Sequence, residues 1–373
     1  MQRPSWNHLG KAMAPNELPN GNIGDWSELY TLAYLLVNGG AYGADENQDR
    51  LESLYYKVLQ VLIAASESEP FLKYEIDQNR VIVYANNVEI ESISRSDIDK
   101  QMVVFFRELT NGEHSRHFTL ESGKDLLDIL KKKSIKASSA ETESDLELVI
   151  EDNQTKIQSP AVGFSIKSQL GSASTLLNAS GSTNLIYKIT PKSQQMEKPF
   201  PEFEHGKHRK NLQALYQAGF ALDFIGFQSE TFARNLQLLD SNMGDYIGKL
   251  LLSYYSTEHI KFSDVVNAAY PIDEPTSRQP IFKIKEFLGA ISMGMRPATE
   301  WDGDTTKFKG IILVKNDGDV VFYYLYNRKS FEEYLYNNVR FDRPDTSRHQ
   351  YGAIYEENGE HFLKLNLQVR FVR

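Results

Sequence analysis

Apolar residues recur at helical spacing over residues 25–37, where Trp26, Leu29, Leu32, Ala33 and Leu36 share one stripe. Asp25 is a residue type that caps such a helix, with Glu28 at the third helical position. A second helix is predicted over about 47–65. Residues 74–76, 81–84 and 88–93 are predicted as short strands joined by Asp-Gln-Asn and Asn-Asn turns. Helical spacing returns over 96–108 and 123–133. The Ser/Thr/Ala/Glu-rich segment 134–143 is predicted as a surface connection.

Strands are then predicted at 145–150, 162–169 and 184–189, and a mostly helical pattern over 207–295. Residues 310–315 and 320–326 flank Asn316-Asp317-Gly318-Asp319, whose Asp-Gly pair favours a tight hairpin turn. A short helix at 330–336 and strands at 352–355 and 362–371 close the chain. Helices and strands are mixed throughout, which places the fold in the α/β (α+β) class. Four stretches are expected: an N-terminal arm (1–20), a helix-and-strand region (21–200), a mainly helical region serving as a binding scaffold (201–300), and a β-rich region (301–373) packed with the others into one unit.

The 373 residues are 41% hydrophobic and 24% charged, ordinary globular usage, and 20 Tyr with 20 Phe suffice for a large core. No apolar run approaches the roughly 18 residues of a membrane helix. Residues 1–20 lack the apolar stretch of a secretory signal. Cysteine is absent, which removes disulfides, thiolate metal sites and Cys nucleophiles, and fits a reducing cytoplasm. The net charge of −9 argues against a non-specific nucleic-acid coat but permits a local basic cleft. There is no P-loop, paired-His zinc helix or Gly-x-Ser-x-Gly elbow.

What remains is a two-strand arrangement. Asp145 and Glu147 share one face of their strand, with Leu146, Leu148 and Ile150 on the other; Ser165, Lys167 and Gln169 share a face opposite Phe164 and Ile166. A hairpin of these strands places Asp145 near Lys167 at a sheet edge. A carboxylate that holds a hard cation beside an ammonium is the equipment of phosphodiester hydrolysis. An acid and a lysine on neighbouring strands also make an ordinary solvated ion pair.

The block from Gly163 through Ser172, followed by Thr175-Leu176-Leu177-Asn178-Ala179 and Thr183-Asn184, resembles the core of the HpaII-type restriction endonuclease family. Further similar blocks are Gly24-Asp25-Trp26-Ser27-Glu28-Leu29-Tyr30, Ala44-Asp45-Glu46-Asn47, Asp317-Gly318-Asp319-Val320-Val321, Tyr324-Leu325-Tyr326-Asn327-Arg328, Thr346-Ser347-Arg348-His349 and the segment from Leu365 to Phe371. They span nearly the whole chain in the family's order.

The resemblance implies a restriction-endonuclease-like mixed sheet flanked by helices, and a P-D…(D/E)-x-K nuclease that uses Mg2+ to cut double-stranded DNA at a short palindrome, CCGG or a close relative. It further implies a cytoplasmic bacterial or archaeal enzyme, acting most simply as a homodimer, with a cognate DNA methyltransferase as genetic partner without direct binding. Asp145 is similar to the metal-binding aspartate and Lys167 to the motif lysine. The sequence departs from the pattern at Ser165, where an acid is expected, and at Ser144, in place of proline.

Another acid is therefore expected, Glu28 first and Glu147 second. Glu28 is equally read as the partner of an Asp25 cap, and Glu147 as a solvated strand residue. Gln169 either orients water or is a polar strand end. For DNA contacts the candidates are Ser172, Ser174, Thr175, Asn178, Ser180, Thr183 and Asn184, the basic cluster with Lys207, His208 and Arg209, and Arg343, Arg348 and His349. Lys131, Lys132 and Lys133 form a second basic run, and Arg340 adds to the late arginines. Such runs are also ordinary solvated faces. Two alternatives stay open: a related nuclease with a different or modification-dependent target, and a DNA-binding protein whose catalytic site has decayed.

Overall fold

Asn22 starts the first helix, α1 (Ile23–Asn38): its side-chain oxygen accepts from Gly24 N (2.7 Å) and Asp25 N (3.1 Å), while Asn22 N donates to the Asp25 carboxylate (2.9 Å). This reciprocal box satisfies N–H groups that a helix start leaves open. It corrects the expected cap, since Asp25 is the third helical residue and Glu28 lies outside the box.

The computed structural model describes residues 18–372 apart from 67–68, 113, 137–143, 152–155, 193–198, 305–307, 325–327 and 346–347. Most of the arm 1–20, most of the connection 134–143, the end of the predicted strand 320–326, and Thr346 and Ser347 thus lie outside the described residues. Around α1 the chain forms β1 (Asn20–Gly21), β2 (Gly40–Ala44), β3 (Arg50–Ile63), β4 (Leu72–Ile76), β5 (Arg80–Ala85), β6 (Val88–Ser94), α2 (Arg95–Thr110), β7 (Phe118–Thr119), α3 (Glu121–Ile129), β8 (Leu146–Glu151) and β9 (Val162–Ser168). Then come β10 (Thr175–Leu177), β11 (Asn184–Pro191), α4 (His208–Gln217), β12 (Phe220–Phe227), α5 (Glu230–Gln237), α6 (Met243–Ser256), α7 (Phe262–Ala269) and α8 (Arg278–Ser292). The last elements are β13 (Phe308–Val314), β14 (Val320–Tyr324), α9 (Arg328–Asn338), β15 (Val339–Phe341), β16 (Ile354–Glu357), β17 (Glu360–Asn366) and β18 (Val369–Phe371).

The chain divides into two discontinuous units, one of residues 1–44, 50–172 and 308–324, the other of 45–49, 173–307 and 325–373. The first is built on a mixed sheet in the order β2-β14-β13-β9-β8-β3-β4-β5-β6, with β13 parallel to β9 and β14 parallel to β2. The hairpin of β13 and β14, which the Asp-Gly turn predicted, therefore lies between β9 and β2. Trp26, Leu29 and Leu32 of α1 and Phe105 of α2 share one core with Leu146, Leu148, Phe164, Ile166, Ile312 and Val314.

The predicted helix at 47–65 is instead the long strand β3. Its first half pairs with β2, and its second half with β8 and β4. Val58 and Val61 are both buried because the register shifts between Val58 and Gln60. One irregularity in the ladder moves the buried side chains to a spacing of three, which imitates a helix.

The second unit contains two antiparallel sheets, β12-β11-β17-β16 and β10-β18-β15, together with α4 to α9. The stretch expected to be mostly helical holds α4 to α8 and one strand, β12, which pairs with β11. The predicted strand 362–371 is divided into β17 and β18. Tyr187, Phe232, Tyr255, Phe262, Phe287 and Tyr334 are among this unit's fully buried aromatic rings.

Candidate active site

β8 and β9 pair antiparallel with Leu146 opposite Phe164 and Glu147 opposite Gly163, which sets Asp145 opposite Ser165. Asp145 N donates to Phe164 O (2.9 Å), and the Asp145 carboxylate turns across the gap. Its Oδ2 accepts from Ile166 N (2.6 Å) and from the Ser165 hydroxyl (3.1 Å). The carboxylate thereby serves the Ile166 amide just past the end of β8, where no strand residue faces it. Lys167 Nζ donates to Ser165 Oγ (2.9 Å). An ammonium, a hydroxyl and a carboxylate thus form one chain of hydrogen bonds.

Asp145, Ser165, Lys167 and Gln169 are all half-buried, while Phe164 and Ile166 are buried beneath them, the alternation expected from the sequence. The parallel neighbour β13 sets Ile311 beside Ser165 and Leu313 beside Lys167, and both are buried. Polar groups next to such low-dielectric walls act more strongly than in open water. Gln169 follows the end of β9, its N–H donating to Val314 O (2.9 Å).

The start of α1 runs along the exit of β9. Ser27 Oγ donates to Ser168 Oγ (2.8 Å), and a Cβ at Gly171 would meet Ile23 Cγ2 at 2.2 Å, so only glycine allows this approach. Ser168 faces α1, whereas Ser165 and Lys167 alternate to the other face. Glu28 is half-buried on α1, close enough to raise the proton affinity of the Lys132 ammonium. Glu147 shares the Asp145 face and is exposed.

Among the described residues, no three His, Asp or Glu side chains gather to hold a metal ion. Asp145, Glu28 and Glu147 therefore do not form a ready three-carboxylate cage. The donor set still suits a hard cation: Asp145 Oδ1 accepts no hydrogen bond from the described residues, and Mg2+ is ordinarily bound through one or two carboxylates together with substrate phosphates.

Several expected DNA contacts have other work. Thr183 and Asn184 are buried in a network in which Asn366 Nδ2 donates to Ser180 O (2.8 Å), Thr183 Oγ1 (3.2 Å) and Asn184 Oδ1 (2.7 Å). Asn184 Nδ2 in turn donates to Gln228 Oε1 (2.9 Å) and His349 O (2.7 Å). Thr183 and Asn184 thus brace the turn into β11 and are closed to a DNA ligand. His208 is also buried, stacked on Tyr351 with ring centres 5.2 Å apart. Burial, then the Arg343 and His205 charges, push its pKa down to about 4, so it is neutral at pH 7 and no phosphate anchor.

Of the second basic run, Lys132 is buried: its Nζ donates to Glu69 (2.9 Å), Ser134 O (2.7 Å) and Lys136 O (2.6 Å). Nothing in three successive lysines signals a buried one.

The others stay accessible in part. Ser172, Asn178, Lys207 and Arg348 are exposed; Ser174, Thr175, Ser180 and His349 are half-buried. Arg209 pairs with Glu258, and the Arg343 guanidinium lies over the rings of Tyr254 (4.8 Å) and Tyr255 (5.3 Å). His349 and Gln350 both adopt left-handed backbone, φ +65° and +50°, which costs energy outside glycine, and the Asn184 amide holds the His349 carbonyl there.

A large mixed sheet flanked by helices, with an aspartate and a lysine brought together across one antiparallel pair, is the architecture of the restriction-endonuclease-like class. The comparisons agree. The model of the HpaII restriction endonuclease family matches residues 22–371. The type II restriction enzyme HpaII of Haemophilus parainfluenzae is 35% identical over 364 residues, covering 95% of this chain and 99% of that relative. No solved structure matches. The chain belongs to the HpaII restriction endonuclease family, and is by that membership a nuclease. No helix among the described residues is long and apolar enough to cross a membrane.

Proposed function

We propose that this protein cuts both strands of DNA at a short palindromic G·C-rich site, CCGG or a close relative, with Mg2+ as cofactor. The observation that supports this most directly is the Lys167–Ser165–Asp145 chain on paired strands of a family member. Asp145 would hold the cation, with oxygens of the scissile phosphate completing its ligands. Glu28 of α1 would add a second carboxylate; Glu147, on the Asp145 face, is the other candidate. Bound Mg2+ supplies charge neutralisation at phosphorus and lowers the pKa of water near it.

The chain's own groups do the rest. Lys167 presents its ammonium to the phosphate and stabilises the charge that grows on its oxygens. Ser165 fixes the lysine by accepting a hydrogen bond from its ammonium while donating one to Asp145. Gln169 orients water at the strand end. Two subunits related by a two-fold axis fit a palindrome. A cognate methyltransferase is the genetic partner, and the cytoplasm is the place of action.

Plasmid incubated with and without Mg2+, followed by run-off sequencing of the cut ends, tests the reading. Mg2+-dependent double-strand cuts at one G·C-rich palindrome support it, and cuts confined to methylated plasmid point to a modification-dependent relative. The serine at position 165 favours one competing reading, a decayed nuclease that still binds DNA. Binding without cuts in any divalent metal is the result that would establish decay.

A further inference from the structure

We propose that Lys261, Arg340 and Arg370 form a cationic row on the second unit that takes phosphates of the DNA backbone, a site that rests on the DNA-cutting function proposed above. Arg340 of β15 lies opposite Arg370 of β18, and Thr175 of β10 lies opposite Arg370 on its other side. Lys261, just before α7, bridges to Arg340. The four residues therefore stand in one line across the strands, with adjacent backbones about 4.8 Å apart.

Alternation settles which way the arginines face. Val339, Phe341, Val369 and Phe371 are buried on one side of this small sheet. The Arg340 and Arg370 side chains, on the other side, keep 30% and 34% of their surface exposed, and Lys261 is exposed.

The charge on this row is in excess. Among the described residues, the carboxylate paired with this row is Asp342, with Oδ2 3.0 Å from Arg370 Nε and Oδ1 3.7 Å from Arg340 Nη1. One carboxylate balances one of three cations, so the row stays positive on a chain whose total is −9. Arg370 Nε lies near Asp342 but is buried and makes no hydrogen bond, so the donors that this guanidinium offers a ligand are its two Nη groups. A guanidinium fork with unused donors fits a phosphate bidentately. Contacts of this kind set position on the duplex and raise affinity at every sequence alike. Asp342 competes with the phosphate for the same two forks.

The test is duplex binding as a function of salt, with calcium in place of magnesium, for the intact protein and four variants: Arg340→Gln, Arg370→Gln, Arg370→Lys and Asp342→Asn. The duplexes are one carrying the mapped cut site and one of unrelated sequence. Each Gln variant is expected to bind about tenfold more weakly to both duplexes and to lower the slope of log K against log salt by about one. Arg370→Lys keeps that slope, and Asp342→Asn tightens binding, which a merely structural role of the cluster would not produce. Unchanged slopes in both Gln variants, weaker binding in Asp342→Asn, or no duplex binding by the wild type overturns the proposal. A wild type that binds but never cuts overturns the nuclease reading and leaves the row to be judged by the slopes alone.

Discussion

Lys167 reaches Asp145 through a single hydroxyl: Ser165 Oγ accepts from the ammonium at 2.9 Å and donates to the carboxylate at 3.1 Å. A serine where the motif expects an acid is therefore built into the site, holding both charged partners in place.

Removing either charged partner should stop the chemistry and spare recognition. Lys167→Ala is expected to slow cleavage by about 10²–10³-fold, the usual range for one lost stabiliser of transition-state charge. Asp145→Ala should lose at least as much. Both should retain sequence-specific binding in calcium. Single-turnover cleavage and gel-shift titration check this, and near-normal cutting by Asp145→Ala would relocate the site.

Restoring the missing acid should change the metal requirement. In Ser165→Asp a second carboxylate stands beside Asp145, and the two repel until a cation lies between them. The Mg2+ concentration for half-maximal cleavage is expected to fall by roughly tenfold, about 1.4 kcal/mol of binding. A magnesium titration at fixed DNA measures it.

Glu28 is separable from the helix start because Asn22 and Asp25 make the cap. Glu28→Gln should leave the melting temperature nearly unchanged and raise the Mg2+ requirement. Asn22→Ala should do the reverse, costing about 1 kcal/mol of stability at the same Mg2+ requirement. An unaltered magnesium curve for Glu28→Gln would leave Glu147 as the second acid.

The buried Lys132–Glu69 pair predicts a stability defect. Burial pulls the Lys132 ammonium toward deprotonation, and the Glu69 carboxylate opposes this. Lys132→Met strands the Glu69 charge in the interior and should cost about 3–5 kcal/mol in urea unfolding. Adding Glu69→Gln should recover most of that loss.

His208 gives a pH dependence with a definite sign. Its folded pKa of about 4 lies below the ordinary 6.5, so between those values the unfolded chain binds more protons. Its contribution to stability is therefore complete above about pH 6.5 and is lost as the pH falls toward 4. His208→Phe should flatten that part of the profile, by at most about 1.4 kcal/mol per pH unit. Urea unfolding at pH 7 and pH 5 makes the comparison.

The parts of the molecule legible in the sequence were those where one periodicity acts alone. The stripe on α1, the two faces of β8 and β9, and the Asp-Gly hairpin follow directly from spacing and turn chemistry. β3 escaped because its ladder irregularity sets Val58 and Val61 three apart. Thr183, Asn184 and His208 looked like surface groups because polarity does not reveal burial. What buries them is Asn366 and Tyr351, residues over 140 positions away in the chain. Ser165 stands out in the sequence as a departure, but its role as a bridge depends on a register that only the paired strands define.

The insertion of β13 and β14 between β9 and β2 sets an order of events during synthesis. Until residues 308–314 leave the ribosome, the strand with Ser165 and Lys167 has a bare edge on the side away from β8. By then all of α4 to α8 has already emerged. A chain released early, before Phe308, lacks the wall formed by Ile311 and Leu313, so the strand that bears the lysine is finished only when most of the protein exists.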